Sequence, residues 1–153
     1  MATSLSCLTN GCRDLVEVFI SYSTMDKLHR KELIQMLKKG DIVYIRNRKV
    51  GKWNVKGNHL ALIISNNKNN KCGQTYTVLL LSSHVKKANN KTNIPLKKDC
   101  EALSCELHKD SMVMINHITT VSKENIIRYI SHLDVESEIY KFIIKKLINY
   151  FND

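Results

Sequence analysis

Between Asn47 and Asn58 the chain carries Arg48, Lys49, Lys52 and Lys56 with no acidic residue among them, and Trp53, the only tryptophan of the protein, stands in their midst. Cations neutralise phosphates and a large flat ring stacks on an unpaired base, so this mixture suits a single-stranded nucleic acid. A second basic stretch, with Lys86, Lys87 and Lys91 among asparagines, repeats the cationic part without the ring. Six histidines supply the side chain that titrates near neutrality. Of these, His59 opens an apolar run and His84 closes another behind Ser82 and Ser83, while His117 lies between two further apolar stretches. By residue type alone a histidine at a strand start is more often a surface or hydrogen-bonded residue than a catalyst, and Ser-Ser-His is first of all turn chemistry. The histidines show no short ligand spacing with Cys or Asp, so neither a metal nor a cofactor is expected.

These residues need elements to position them. Gly40 and Asp41 break the chain ahead of Ile42, Val43, Tyr44 and Ile45, and Leu60 to Ile64 form a second apolar run closed by turn-formers. The economical reading is two strands joined by the basic segment. Asn66 to Gly73 reads as a polar turn region, and Tyr76 to Leu81 as a buried strand. Pro95, the single proline, suits a short edge segment from Asn93 to Leu96. Ser111 to Ile115 is a further strand, followed by Asn116, His117 and Ile118 to Val121. Ile127 to Leu133 fits a last strand or the continuation of a helical turn begun at Ser122. The chain closes with a helix, for which Asp134 is the cap candidate; Glu136 and Glu138 come early and Lys141, Lys145 and Lys146 late, as the helix dipole favours. Ile139, Phe142, Ile143, Leu147, Tyr150 and Phe151 are expected along one side, with Ile144 and Ile148 as a second apolar edge able to touch a partner chain. Residues 1–37 read as an N-terminal helical extension. In it, Asp26 caps a helix that brings Leu28, Leu33, Ile34 and Leu37 onto one face, after an ambiguous apolar piece from Leu15 to Tyr22.

At 153 residues, 43% hydrophobic and 25% charged, the chain suits a soluble protein with one main core. Its five cysteines are odd in number and form no Cys-x-x-Cys pair, which fits a reducing cytoplasm better than a disulfide framework. No signal peptide and no apolar run of membrane-spanning length is apparent. The net charge is +10, and its placement matters more: residues 39–98 hold 13 Lys and Arg against the single acid Asp41, whereas residues 99–153 are mildly acidic. So uneven a block makes a directed field that attracts a polyanion, and without a basic amphipathic helix a nucleic acid is favoured over a membrane surface.

Taken in order, several segments resemble one family. Lys39-Gly40-Asp41-Ile42-Val43-Tyr44 is similar to an opening Arg/Lys-Gly-Asp-hydrophobic strand, and Gly57-Asn58-His59-Leu60-Ala61-Leu62-Ile63-Ile64-Ser65-Asn66 to a Gly-x-Arg-Pro-hydrophobic-Ser/Gln-Asn segment. Leu81-Ser82-Ser83-His84 stands where that family has a strand ending in Thr or Ser; Asp110-Ser111-Met112-Val113 and Ile130-Ser131-His132-Leu133-Asp134 complete the order. Over roughly residues 38–151 the chain therefore resembles the MazF/PemK toxins of type II toxin-antitoxin systems, which are metal-independent endoribonucleases. The resemblance implies a mainly β architecture, an SH3-like small β-barrel with a C-terminal helix over residues 38–153, usually a homodimer that binds single-stranded RNA and a cognate antitoxin.

It also implies a site. His59 occupies the position of the family's catalytic Arg and Leu60 that of its Pro; the Glu-Gln pair just before falls at Asn54 and Val55, and the later acidic-Gln pair at Asn116 and His117. Ser82 keeps the hydroxyl of the family's Thr. Cleavage by a ribose 2′-OH needs a proton acceptor, a donor to the leaving 5′-oxygen and contacts to the phosphoryl oxygens. His59 would be the base or acid, Ser82 would bond a non-bridging oxygen, and His84 or His117 could supply the second proton function. Arg48, Lys49, Lys52, Trp53, Lys56, Lys86, Lys87 and His117 would bind the RNA. His29, His108 and His132 are assigned structural roles. The changed residues leave two alternatives open, a barrel that binds nucleic acid without cutting it and an inactive relative that holds an antitoxin.

Overall fold

Gly40 opens the sheet at a backbone angle of φ +94°, which L side chains rarely adopt. Its amide donates to Ile63 O at 2.9 Å and its carbonyl accepts from Leu133 N at 2.8 Å, so one residue ties two neighbouring strands together. The computed structural model describes residues 32, 34, 36–46, 58–84 and 92–152. Six strands follow in one antiparallel sheet: β1 (Asp41–Ile45), β2 (His59–Ile63), β3 (Thr75–Ser82), β4 (Asn93–Leu96), β5 (Ser111–Ser122) and β6 (Ile126–His132), in the order β4-β5-β3-β2-β1-β6.

Alternation along these strands sorts the apolar side chains into two clusters. Val43, Ile45, Ala61, Ile63, Tyr76, Val78, Leu80 and Tyr129 pack on one face. Ile42, Leu62, Leu79, Leu81, Val113, Ile115 and Leu133 pack on the other, under the C-terminal helix α2 (Glu138–Asn152), which contributes Tyr140 and Ile143. Successive residues of a strand point to opposite faces, so near-continuous apolar runs are what a sheet covered on both sides requires.

The barrel-like, mainly β architecture with a C-terminal helix expected from the sequence is present, but its sheet stays open. The edge strands β4 and β6 do not pair; the connection between β4 and β5 spans the gap instead. Ser104 N donates to His132 O at 2.8 Å, Asp134 N donates to Ala102 O at 2.9 Å, and Leu103 bridges Leu133. With Leu107 buried in the core beneath it, this loop covers the β6 edge that would otherwise be exposed.

Several local expectations are corrected. The polar region after β2 holds a short helix α1 (Asn67–Cys72), because the Asn66 side chain accepts from Asn69 N at 2.9 Å and caps it. Residues 111–122 form one 12-residue strand that absorbs Asn116 and His117 through a shift in register against β3. Of the two readings for Ile127 to Leu133 the strand holds, over residues 126–132, and only Lys123–Asn125 make a 3-10 turn. Helix α2 begins at Glu138, and its cap is Ser137, whose hydroxyl accepts from Tyr140 N at 3.3 Å; Asp134 braces the preceding turn through Glu136 N at 3.0 Å. The buried side of α2 is Tyr140 and Ile143 with Ile139, Ile144 and Leu147 beside them, while Phe142, Tyr150 and Phe151 face outward.

Of the expected N-terminal helix, the described residues include Glu32 and Ile34, both helical, and Leu37; Asp26, Leu28 and Leu33 lie outside them. Ile34 and Leu37 are buried in the same cluster as Val43, and the Tyr76 hydroxyl donates to Ile34 O.

Candidate functional site

β1 runs into the basic segment and β2 runs out of it. Arg46, Asn58 and His59 stand at its described ends, with Ile45 and His59 as cross-strand partners. β3 delivers Ser82 to the same end of the sheet: Leu60 pairs with Leu81, so the next step of the register sets His59 beside Ser82. His59 shares the parity of Ala61 and Ile63, and Ser82 that of Val78 and Leu80, which places both on the face of the first cluster. Two residues 23 positions apart in the chain are thereby neighbours on adjacent strands. On its other side Ser82 is paired with Met112 of β5.

The polar atoms there are unequally satisfied. His59 is half-buried, and its Nε2 is sealed from solvent with no hydrogen-bond partner. A buried nitrogen left so costs about 1 to 3 kcal/mol, and native proteins keep few of them. Ser82 Oγ accepts from the backbone N–H of His84 at 3.2 Å, which fixes the oxygen and leaves its own proton to donate elsewhere. His84 itself is exposed just beyond the strand. His117 lies farther along β5, within the register shift opposite Leu80; its Nδ1 is 2.8 Å from Asn116 Oδ1. The structure thus brings His59 and Ser82 together and sets His84 two residues after Ser82 on the chain, while His117 stands on the strand that pairs with Ser82. Arg48, Lys49, Lys52, Trp53, Lys56, Lys86 and Lys87 lie outside the described residues. The chain ends that lead to them, Arg46 and Asn58 on one side and His84 and Thr92 on the other, are described.

Two polar groups of the interior escaped the sequence reading. Asp41, the single acid of residues 39–98, is buried against His132, with Oδ1 2.7 Å from Nδ1. Ninety-one positions separate the two residues, and only the pairing of β1 with β6 joins them. Lys123 is likewise buried: Nζ donates to Asn70 O at 2.6 Å and lies 5.1 Å from the Tyr76 ring centre. Burial pushes Lys123 below the ordinary lysine value. Burial, and then the charge of Asp41, push the Tyr76 phenol up to about 12. These groups brace the sheet end opposite His59 and Ser82. Among the described residues no three His, Cys, Asp or Glu side chains gather as metal ligands.

A family model described as a PemK-like, MazF-like toxin of a type II toxin-antitoxin system matches residues 38–147. No curated protein sequence matches the chain significantly. Solved structures share its fold. An endoribonuclease in complex with its cognate antitoxin from a Mycobacterial species superposes with a TM-score of 0.55 at 15% identity, covering 76% of this chain and 95% of that one. The toxin MazF-mt6 of Mycobacterium tuberculosis gives 0.54 at 16% identity, over 73% and 96%. MazF from Deinococcus radiodurans gives 0.58 at 13% identity, over 76% and 97%.

Proposed function

Because the matched residues make up most of the chain, the protein belongs to the PemK-like, MazF-like toxin family, and we propose that it is an endoribonuclease that cuts single-stranded RNA without a metal. The observation that carries this reading is the placement of His59 beside Ser82 on one face, at the sheet end from which both cationic connections leave. Similarity to an endoribonuclease bound to its antitoxin supports it.

The chemistry follows from these residues. RNA phosphates are drawn to the basic block, and a base stacks on Trp53. His59 takes the proton of a ribose 2′-OH as its oxygen attacks the adjacent phosphorus. The P–O5′ bond breaks, leaving a 2′,3′-cyclic phosphate on one fragment. The 5′-oxygen leaves as a hydroxyl, with its proton given by His84 or His117. Ser82, its oxygen steadied by the His84 amide, donates to a non-bridging phosphoryl oxygen and favours the charge that builds there. A cognate antitoxin is the protein partner, and a homodimer the working form.

Purified protein incubated with a long unstructured RNA in EDTA tests the reading. Fragments ending in 2′,3′-cyclic phosphate are expected. Salt-dependent binding without cleavage would replace it with the non-catalytic alternative.

A further inference from the structure

Helix α2 leaves an open groove of about 490 Å³ along the flank that looks toward the start of β1. Its apolar lining includes Ile64, Ile144 and Ile148, and its cations are Lys39, Lys141 and Lys145; no acid occurs among its described lining residues. Ile148 is 54% exposed and lines the groove with Ile144 and Ile64, so the apolar surface there is shared by three side chains. Glu136 reaches Lys141 only at 4.0 Å with both side chains in solvent, so it does not neutralise the groove. On the helix the lining recurs at 140–141, 144–145 and 148–149, which makes a trough about 14 Å long rather than a closed cavity.

Three possible occupants are told apart by charge and shape. A second copy docked trough to trough around a two-fold axis would set lysine against lysine. An RNA strand would meet the cations but would find no exposed ring on the apolar side to stack upon, since Tyr140 is buried. A helix with apolar residues on one face and carboxylates three or four positions away satisfies both linings at once, and two to three turns fill the length.

We propose that this groove docks an acidic amphipathic helix of a different protein, with apolar side chains on Ile64, Ile144 and Ile148 and carboxylates on Lys39, Lys141 and Lys145. The proposal rests on the reading that a partner polypeptide holds this chain, and it names the surface.

A display library of 14-residue helical peptides, sorted on the full chain and counter-sorted on its Lys141→Glu/Lys145→Glu variant, tests it. Peptides that survive should carry Glu or Asp at three- or four-residue spacing beside Leu, Ile or Val. Their affinity should fall at least tenfold on the double variant and on Ile148→Asp, weaken with salt, and return when the peptide's acids are exchanged for lysines against the double variant. Survivors without acids, or survivors displaced by a short RNA, would overturn the proposal. So would a change in the double variant's own oligomeric mass, which would make the groove a contact between copies. RNA cleavage by the parent protein, run in parallel, separates the two readings: cleavage with no peptide bound to the parent sinks the groove alone, and peptide binding without cleavage sinks the nuclease alone.

Discussion

His59 and Ser82 carry different parts of the chemistry, and substitution should separate them. Restoring the residue type that the family resemblance implies, His59→Arg, should keep or raise the activity, which single-turnover rates would show. Ser82→Ala removes one hydrogen bond to a phosphoryl oxygen and should lower the rate less than loss of a general acid or base, for which about 10²- to 10⁴-fold is usual, with RNA affinity little changed. A Ser82→Ala enzyme as slow as one lacking His59 would mean that the hydroxyl does more than bond one oxygen. At this scale the sequence was legible only through motif order. His59 opening an apolar run and Ser82 closing another say nothing alone; the register of β2 on β3 makes them neighbours. The Asp41–His132 pair was not legible at all, because its partners meet only across two edge-ward strands.

Elements explain how that register is held. A Cβ added at Gly40 would lie 2.5 Å from Leu133 O, and the backbone there is in the left-handed region. Gly40→Ala should therefore cost at least about 2 kcal/mol in urea unfolding, through strain and through the loosening of β1 from β6. The buried phenols of Tyr76 and Tyr140 make a second expectation. Burial holds both at about 12 against an ordinary value of 10.0, so the folded protein keeps two protons that the unfolded chain releases. Their contribution is complete below about pH 10 and is lost as pH rises toward 12, at about 1.4 kcal/mol per pH unit for each. Denaturation midpoints that stayed level between about pH 10 and 12 would contradict this. Strands were easy to place because their apolar runs are short and bounded by Gly, Pro and Asn. The helix Asn67–Cys72 was not, since a capping asparagine inside an asparagine- and lysine-rich stretch looks like any turn. Helix α2 was found but rotated: Ser137 and not Asp134 starts it, and its large apolar residues lie outside the buried side as well as on it, which blurs the stripe that periodicity reads.

The whole molecule presents a basic block, exposed aromatics on its C-terminal helix and an open sheet spanned by a loop. Phe142, Tyr150 and Phe151, from 48% to 68% exposed, are more apolar surface than a lone copy leaves uncovered without reason. A two-fold dimer is the expected state, and a monomeric mass by light scattering at micromolar concentration would count against it. RNA affinity should fall steeply with salt, and removing Arg48, Lys49, Lys52 or Lys56 should flatten the slope by up to about 0.7 for each phosphate that is no longer neutralised. Among the described residues no helix is long and apolar enough to cross a membrane. If His59 cuts RNA, single-turnover cleavage of one long unstructured RNA in EDTA must differ between the parent protein and His59→Ala. The parent should leave 2′,3′-cyclic phosphate ends, and His59→Ala should cut about 10²- to 10⁴-fold more slowly with binding retained. Intact RNA with the parent, or equal cleavage by the two proteins, would contradict it.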